Sequence, residues 1–179
     1  EAFELCRKIL ASDSKSVVAL NIMGVLADKK GQLEESVKFF ESAIRAEPQY
    51  VDSYSNAAHV LGKLSRFEEA IELCKKALDL NPNRPTAHNN LGVLYRAIGL
   101  SHESISCYNK AIEQDPNYAD AFNNKANSLA DLGNLDQAAS SYQKALELNR
   151  KSSASWSNFL YTINQISSID LSNNINLTS

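Results

Sequence analysis

The chain has 179 residues, 44% of them apolar and 22% charged, the balance of a globular domain rather than of a disordered or collagen-like segment. Eighteen Lys and Arg against 21 Asp and Glu leave a net charge of -3, so there is no basic field for a row of phosphates, and nucleic acid is excluded as a partner. No apolar run approaches the roughly 20 residues of a bilayer span and no signal-peptide pattern opens the chain, so no membrane partner is expected either.

A repeat organises the chain: Pro48, Pro82 and Pro116 stand 34 residues apart, as do Ala43, Ala77, Ala111 and Ala145. Gly31, Gly99 and Gly133 fall seventeen residues before the proline position, with Ser65 replacing glycine in the second unit. Glycine ends one helix in a left-handed turn, and proline stops the next. The apolar pattern is already in phase at Ala2 and Cys6, so the chain begins partway through a unit.

In chain order the frame predicts a half repeat 1–16 with a helix over 1–13, then a unit 17–50 with helices 17–30 and 33–46. Units 51–84 (helices 51–64 and 67–80), 85–118 (85–98 and 101–114) and 119–152 (119–132 and 135–148) follow, then a half repeat 153–166. Residues 167–179 read as a C-terminal tail or the start of a connecting helix capped by Ser172. The expectation is an all-α chain of ten helices with no strand. Gly24, Ala58, Gly92 and Ala126 are placed where paired helices approach closely. A single pair buries too little apolar area, so neighbours must stack to complete the core.

Aromatic, Leu-Gly, Tyr, Ala, aromatic, Ala and Pro at these offsets resemble the tetratricopeptide repeat, best in Asn90-Leu91-Gly92, Tyr95, Gly99, Tyr108, Ala111 and Pro116. The resemblance covers residues 1–166 and implies a right-handed superhelix, an α-solenoid. Departures are local: Ser36 and Ser104 replace alanine, Lys125 takes a leucine site and must snorkel, and Arg150 replaces the fourth proline.

Nothing in the sequence announces catalysis, a cofactor or a metal. His59, His88 and His102 are scattered over three different helices, and His102-Glu103 has no second histidine one turn on. The pairs Glu34-Glu35 and Glu68-Glu69 begin second helices, where negative charge favours the helix dipole. Phosphate-binding glycine loops and the nucleophile elbow are missing, so no enzyme activity is assigned to this segment. Cys6, Cys74 and Cys107 are odd in number and lack C-x-x-C spacing, which argues against disulfides and zinc. They fit a reducing compartment, giving a cytoplasmic expectation, or a nucleocytoplasmic one in a eukaryote.

First helices of such a stack line a concave groove. Asn56, Asn90, Asn124 and Asn158 recur there every 34 residues, with Asn21, Asn89, Asn123, Asn127, His59 and Tyr161 at neighbouring groove positions. An amide both donates and accepts, so a ladder of asparagines can hold an extended peptide backbone with little regard to its sequence. The alternative is that these amides bond within or between helices. Carboxylate clamping is excluded, because Asn21 and Thr86 stand where lysines would be needed.

The run Trp156-Ser157-Asn158-Phe159-Leu160-Tyr161-Thr162-Ile163-Asn164, followed by Ile169-Asp170-Leu171-Ser172, resembles the end of the repeat array in SPINDLY-like and related O-linked N-acetylglucosamine transferases. That resemblance implies the substrate-recruiting region of a longer nucleotide-sugar-dependent protein O-glycosyltransferase. The other reading is a tetratricopeptide adaptor with no catalytic domain. Either way the expected partner is protein or extended peptide, and a homo-oligomer is compatible with both.

Overall fold

The computed structural model describes residues 2–176, with side chains through Ile169. Among them are ten helices and no strand: α1 (Ala2–Ser12), α2 (Val17–Lys29), α3 (Leu33–Ala46), α4 (Val51–Lys63), α5 (Phe67–Leu80), α6 (Pro85–Ala97), α7 (Ser101–Gln114), α8 (Ala119–Asp131), α9 (Leu135–Leu148) and α10 (Ser153–Asn176). The chain divides into two compact units, Glu1–Leu94 and Tyr95–Ser179.

In the first unit the core is built where each second helix meets its first. Cys6, Ala19 and Met23 cluster with Leu10 and Phe39, and Tyr54, Ala77 and Ala87 cluster with Ile44, Val51 and Leu73. Close approach is the governing feature, since a Cβ on Gly24 would lie 2.6 Å from the fully buried ring of Phe40. In the second unit Ala126, Leu129, Ala138 and Tyr142 form the corresponding cluster, with Ile105 and Phe159 packed against it. Lys125 is half-buried beside Ala126, as a snorkelling side chain would be.

The departures from the consensus have local explanations. The Ser36 hydroxyl donates to Gly24 O at 2.8 Å, while that of Ser104 donates to Ser101 O at 2.8 Å and lies 2.7 Å from Ser128 Oγ, whose proton it can accept. Both serines are therefore satisfied although fully buried. Arg150 is tolerated because proline is only one of two devices ending the second helices. Asp13, Asn81, Asp115 and Asn149 each accept, through Oδ1, the N–H two residues on, at 3.0, 3.0, 3.0 and 3.3 Å. That Asx turn closes the unit without help from a pyrrolidine ring.

A second device repeats six residues further along. Tyr54 Oη donates to Pro48 O at 3.0 Å, Trp156 Nε1 donates to Arg150 O at 3.1 Å, and His88 Nε2 lies 3.1 Å from Pro82 O. His88 thus takes the place of an aromatic packing residue and its polar handle together.

One expectation is corrected. The helix that begins at Ser153 does not stop near Ile166; α10 continues through Asn176, so Ser172 lies inside a helix instead of capping a new one. No proline or glycine interrupts 153–176, and Ile163, Ile166 and Ile169 continue at helical spacing. The expectation for 177–179, like that for Glu1, lies outside the described residues.

Gly31, Gly99 and Gly133 turn with φ of 76°, 81° and 76°, and Ser65 is held at 58° in the same role. An L side chain pays for that conformation, and a Cβ at Gly31, Gly99 or Gly133 would meet nothing within 4 Å, so the constraint is backbone rather than space. Ser65→Gly should accordingly raise stability by roughly 0.5–1 kcal/mol, read as a higher urea midpoint. Gly31→Ala should move it the other way.

Candidate functional site

Residues four and seven apart on a helix share a face. On α2 that set is Val18, Ile22 and Val25, on α4 it is Asp52, Asn56 and His59, and on α6 it is Thr86, Asn90 and Val93. Val18, Ile22, His59, Thr86 and Val93 are exposed to differing degrees, with Asn56 and Asn90 half-buried among them. In the second unit the same positions hold Asp120, Asn124 and Asn127 on α8, then Ala154, Asn158 and Tyr161 on α10. Tyr161 is widely exposed, and the three asparagines are half-buried.

The ten residues singled out from the sequence separate into distinct roles. Asn21 is buried, its Nδ2 donating to Val17 O at 3.1 Å and to Ser53 Oγ at 2.7 Å on the neighbouring first helix. Asn123 repeats the arrangement, its Oδ1 accepting from Ser155 Oγ at 2.9 Å. The spacing is 32 residues in both cases, an Asn followed by a Ser on the next first helix, and this was the readable signal for a packing role. Ser55 lies in register with Asn21 and Asn123, but Ala87 replaces the partner serine, and Ser55 Oγ is left buried without a hydrogen bond. Asn21 Oδ1 is unpaired in the same way.

Asn127 Oδ1 accepts from Tyr142 Oη at 2.6 Å and from Asn158 Nδ2 at 3.1 Å, tying α8, α9 and α10 together. Asn90 Nδ2 makes only a long contact, 3.5 Å, to Ser55 O. Asn89 is buried, and both Asn89 and Asn124 have interaction partners within the chain. Asn56 alone among the four ladder residues makes no side-chain hydrogen bond to any described residue. The arrangement therefore offers, in the first unit, an unpaired amide on α4 between exposed aliphatic groups on α2 and α6. That chemistry suits an extended chain with backbone amides and apolar side chains.

Sequence reasoning missed the ion pairs joining adjacent first helices at their C-terminal ends. Lys63 Nζ lies 2.7 Å from Asp28 Oδ1, and Arg96 Nε lies 2.6 Å from Asp131 Oδ2. Each pair spans 35 residues with the charge order reversed, so opposite charges one unit plus one residue apart were the available signal. Among the described residues no cluster of three His, Cys, Asp or Glu could hold a metal ion. All three cysteines are buried free thiols, and burial pushes that of Cys107 above its ordinary pKa, away from nucleophilic character. Among the described residues no helix is long and apolar enough to cross a membrane.

Paired helices with a 34-residue period, small residues at the contact and a left-handed turn between them define a helical-repeat protein. Models of the tetratricopeptide repeat match residues 17–50, 50–117 and 119–152, and a TPR repeat model matches 102–133. The chain belongs to the tetratricopeptide-repeat family. No curated protein matches it. Among solved structures it is similar to TTC0263, a thermophilic TPR protein of Thermus thermophilus, at 19% identity and a TM-score of 0.80, covering 90% of this chain and 88% of that one. MamA is similar at 21% identity and a TM-score of 0.71, covering 85% and 89%. YrrB, described as a TPR protein with an unusual peptide-binding site, is similar at 20% identity and a TM-score of 0.68, covering 93% and 84%. At these identities the likeness concerns the fold.

His59 gives this face a pH dependence. Desolvation first, and then Lys63, lower the pKa of its ring, against a smaller opposing pull from Asp28. The unfolded chain therefore binds more protons than the folded one just below the ordinary histidine value of about 6.5, and stability falls as pH drops through that window. Relative to His59→Gln, the wild-type melting temperature should decline between about pH 7.5 and 5. Parallel profiles would show that His59 is not desolvated.

Proposed function

We propose that the chain is a protein-binding module whose first-helix face holds an extended segment of a partner, with the 34-residue units 17–50, 51–84, 85–118 and 119–152 and the half units 1–16 and 153–166 as its frame. The observation that carries this is Asn56, an amide with no hydrogen bond to any described residue, set between helices that expose Val18, Ile22 and Val93. Asn90 and His59 extend the same face, while Tyr161 supplies an exposed aromatic in the second unit. Asn124 and Asn158 join through whatever amide capacity their internal contacts leave. Asn21, Asn89, Asn123 and Asn127 support the site by fixing the helices rather than by touching the partner. A peptide-binding site described for YrrB, a protein of similar fold, supports the class of ligand.

A narrower reading makes the module the substrate-recruiting region of a nucleotide-sugar-dependent protein O-glycosyltransferase. Its support is the Trp156–Asn164 run, in which Asn158 and Tyr161 occupy first-helix positions of α10. An adaptor without a catalytic domain would use the same face in the same way, and the repeat architecture fits it as well. The buried free thiols suit a reducing compartment such as the cytoplasm.

Peptides selected on the immobilised chain from a displayed random library provide the test. Asn56→Ala should weaken their binding by up to about tenfold, the contribution of one net hydrogen bond, with no change in melting temperature. Asn158→Ala should instead lower the melting temperature, because Asn127 loses a donor. A variant Asn56→Ala that melts earlier while binding as before would overturn the proposal, as would the selection of no peptide.

A further inference from the structure

The first-helix face of the first unit carries a charge pattern as well as a free amide. Its centre is made by Ile22, Val25, Asn56, His59, Asn90 and Val93, none of them charged at neutral pH. The His59 ring is neutral there because desolvation first, and then Lys63, hold its pKa below the ordinary histidine value. Charge is confined to the two ends of the face, and most of it is matched within the chain. At one end Asp52 is paired with Arg84; at the other Lys63 Nζ lies 2.7 Å from Asp28 Oδ1, with Lys29 exposed beyond.

Aliphatic groups stand on either side of the amide. Val18 and Ile22 on α2 are 54% and 40% exposed and Val93 on α6 is 44% exposed, whereas Asn56 belongs to α4. The three helices are successive neighbours, since Asn21 Nδ2 reaches Ser53 Oγ and a Cβ on Gly62 would lie 2.9 Å from Leu94 Cδ2. Packed helices lie about 8–10 Å apart axis to axis, which separates α2 from α6 by roughly 16–20 Å. An extended chain rising about 3.3 Å per residue crosses that span in about five or six residues. Alternate side chains share a face, so an even spacing of about six sets one aliphatic side chain on Val18 and Ile22 and another on Val93. The backbone between them passes over Asn56, whose amide both donates and accepts. A helical ligand has its backbone groups bonded internally and would leave that amide unmet. A charged side chain between the two contacts would lose water and gain no counter-ion.

We infer that the partner segment is extended and uncharged over about seven residues, with an aliphatic side chain at each end of that stretch, one packed on Val18 and Ile22 and the other on Val93. The inference rests on the protein-binding reading and adds to it the chemistry of the ligand.

Selection on the immobilised chain from a displayed library of random peptides, about twelve residues long, tests it, with the chosen peptides then synthesised carrying fluorescein and titrated by anisotropy. They should bear two aliphatic residues about six apart, with no Asp, Glu, Lys or Arg between. Their affinity should change less than about twofold between about 50 and 500 mM NaCl, because no exposed ion pair is there to be screened. Val18→Asp and Val93→Asp should each weaken binding about tenfold or more with helical circular dichroism unchanged, and Lys76→Glu, an exposed change on α5, should leave it as it was. Lysine in place of one aliphatic residue of the peptide should restore part of the affinity for Val93→Asp, and lysine in place of the other should do so for Val18→Asp. Peptides that bind and are weakened by Asn56→Ala, yet carry charge within the stretch or lose more than about tenfold over that salt range, overturn this inference and leave the protein-binding reading in place. If no peptide is selected, that reading fails and the inference falls with it.

Discussion

The Phe40 ring sits against the backbone of Gly24, where there is no room for a Cβ, and the rest of each helix pair is arranged around contacts of this kind. Close approach lets Val37 and Phe40 on α3 become almost fully buried against α2. It also requires a tight turn between the helices, hence the left-handed residues at 31, 65, 99 and 133. Because one pair presents both a packed side and an open one, the chain must add further pairs, and the polar devices between them follow from that need. Asn21 reaching Ser53, Asn123 reaching Ser155 and the Asp28–Lys63 bridge all join one first helix to the next.

Much of this was legible because the sequence carries the same constraint in every unit. The helices α3, α5, α7 and α9 begin and end where a 34-residue frame places them, and each first helix before α10 ends one residue earlier than expected. The small difference arises because the residue before each left-handed turn is already a helix cap. What the frame could not convey is the end of the pattern. Periodicity argues for a stop near Ile166, but a helix stops only where something stops it, and neither Pro, Gly nor an Asx turn is present there.

The asparagines show a different limit. Four of them are equivalent by register, and sequence alone gives them one role. Structure separates them through their neighbours: Asn158 finds Asn127, Asn90 barely reaches Ser55 O, and Asn56 finds no partner among the described residues. Whether an amide is left unpaired depends on a residue about 31 to 35 positions away, such as Ser53 opposite Asn21 or Asn127 opposite Asn158. Those neighbours are not constrained by the repeat, so each unit of one fold acquires its own surface chemistry.

The central claim is that stability resides in close contacts within successive helix pairs, leaving the first-helix face free for a partner. Native-state amide hydrogen exchange on Gly24→Ala addresses it most directly. The added methyl overpacks the Phe40 contact at a cost of about 1–3 kcal/mol, which should lower protection in α2 and α3 about tenfold or more. Helices α8 and α9, whose pair is untouched, should keep theirs. Equal loss of protection in all four helices, or none in α2 and α3, would contradict the account.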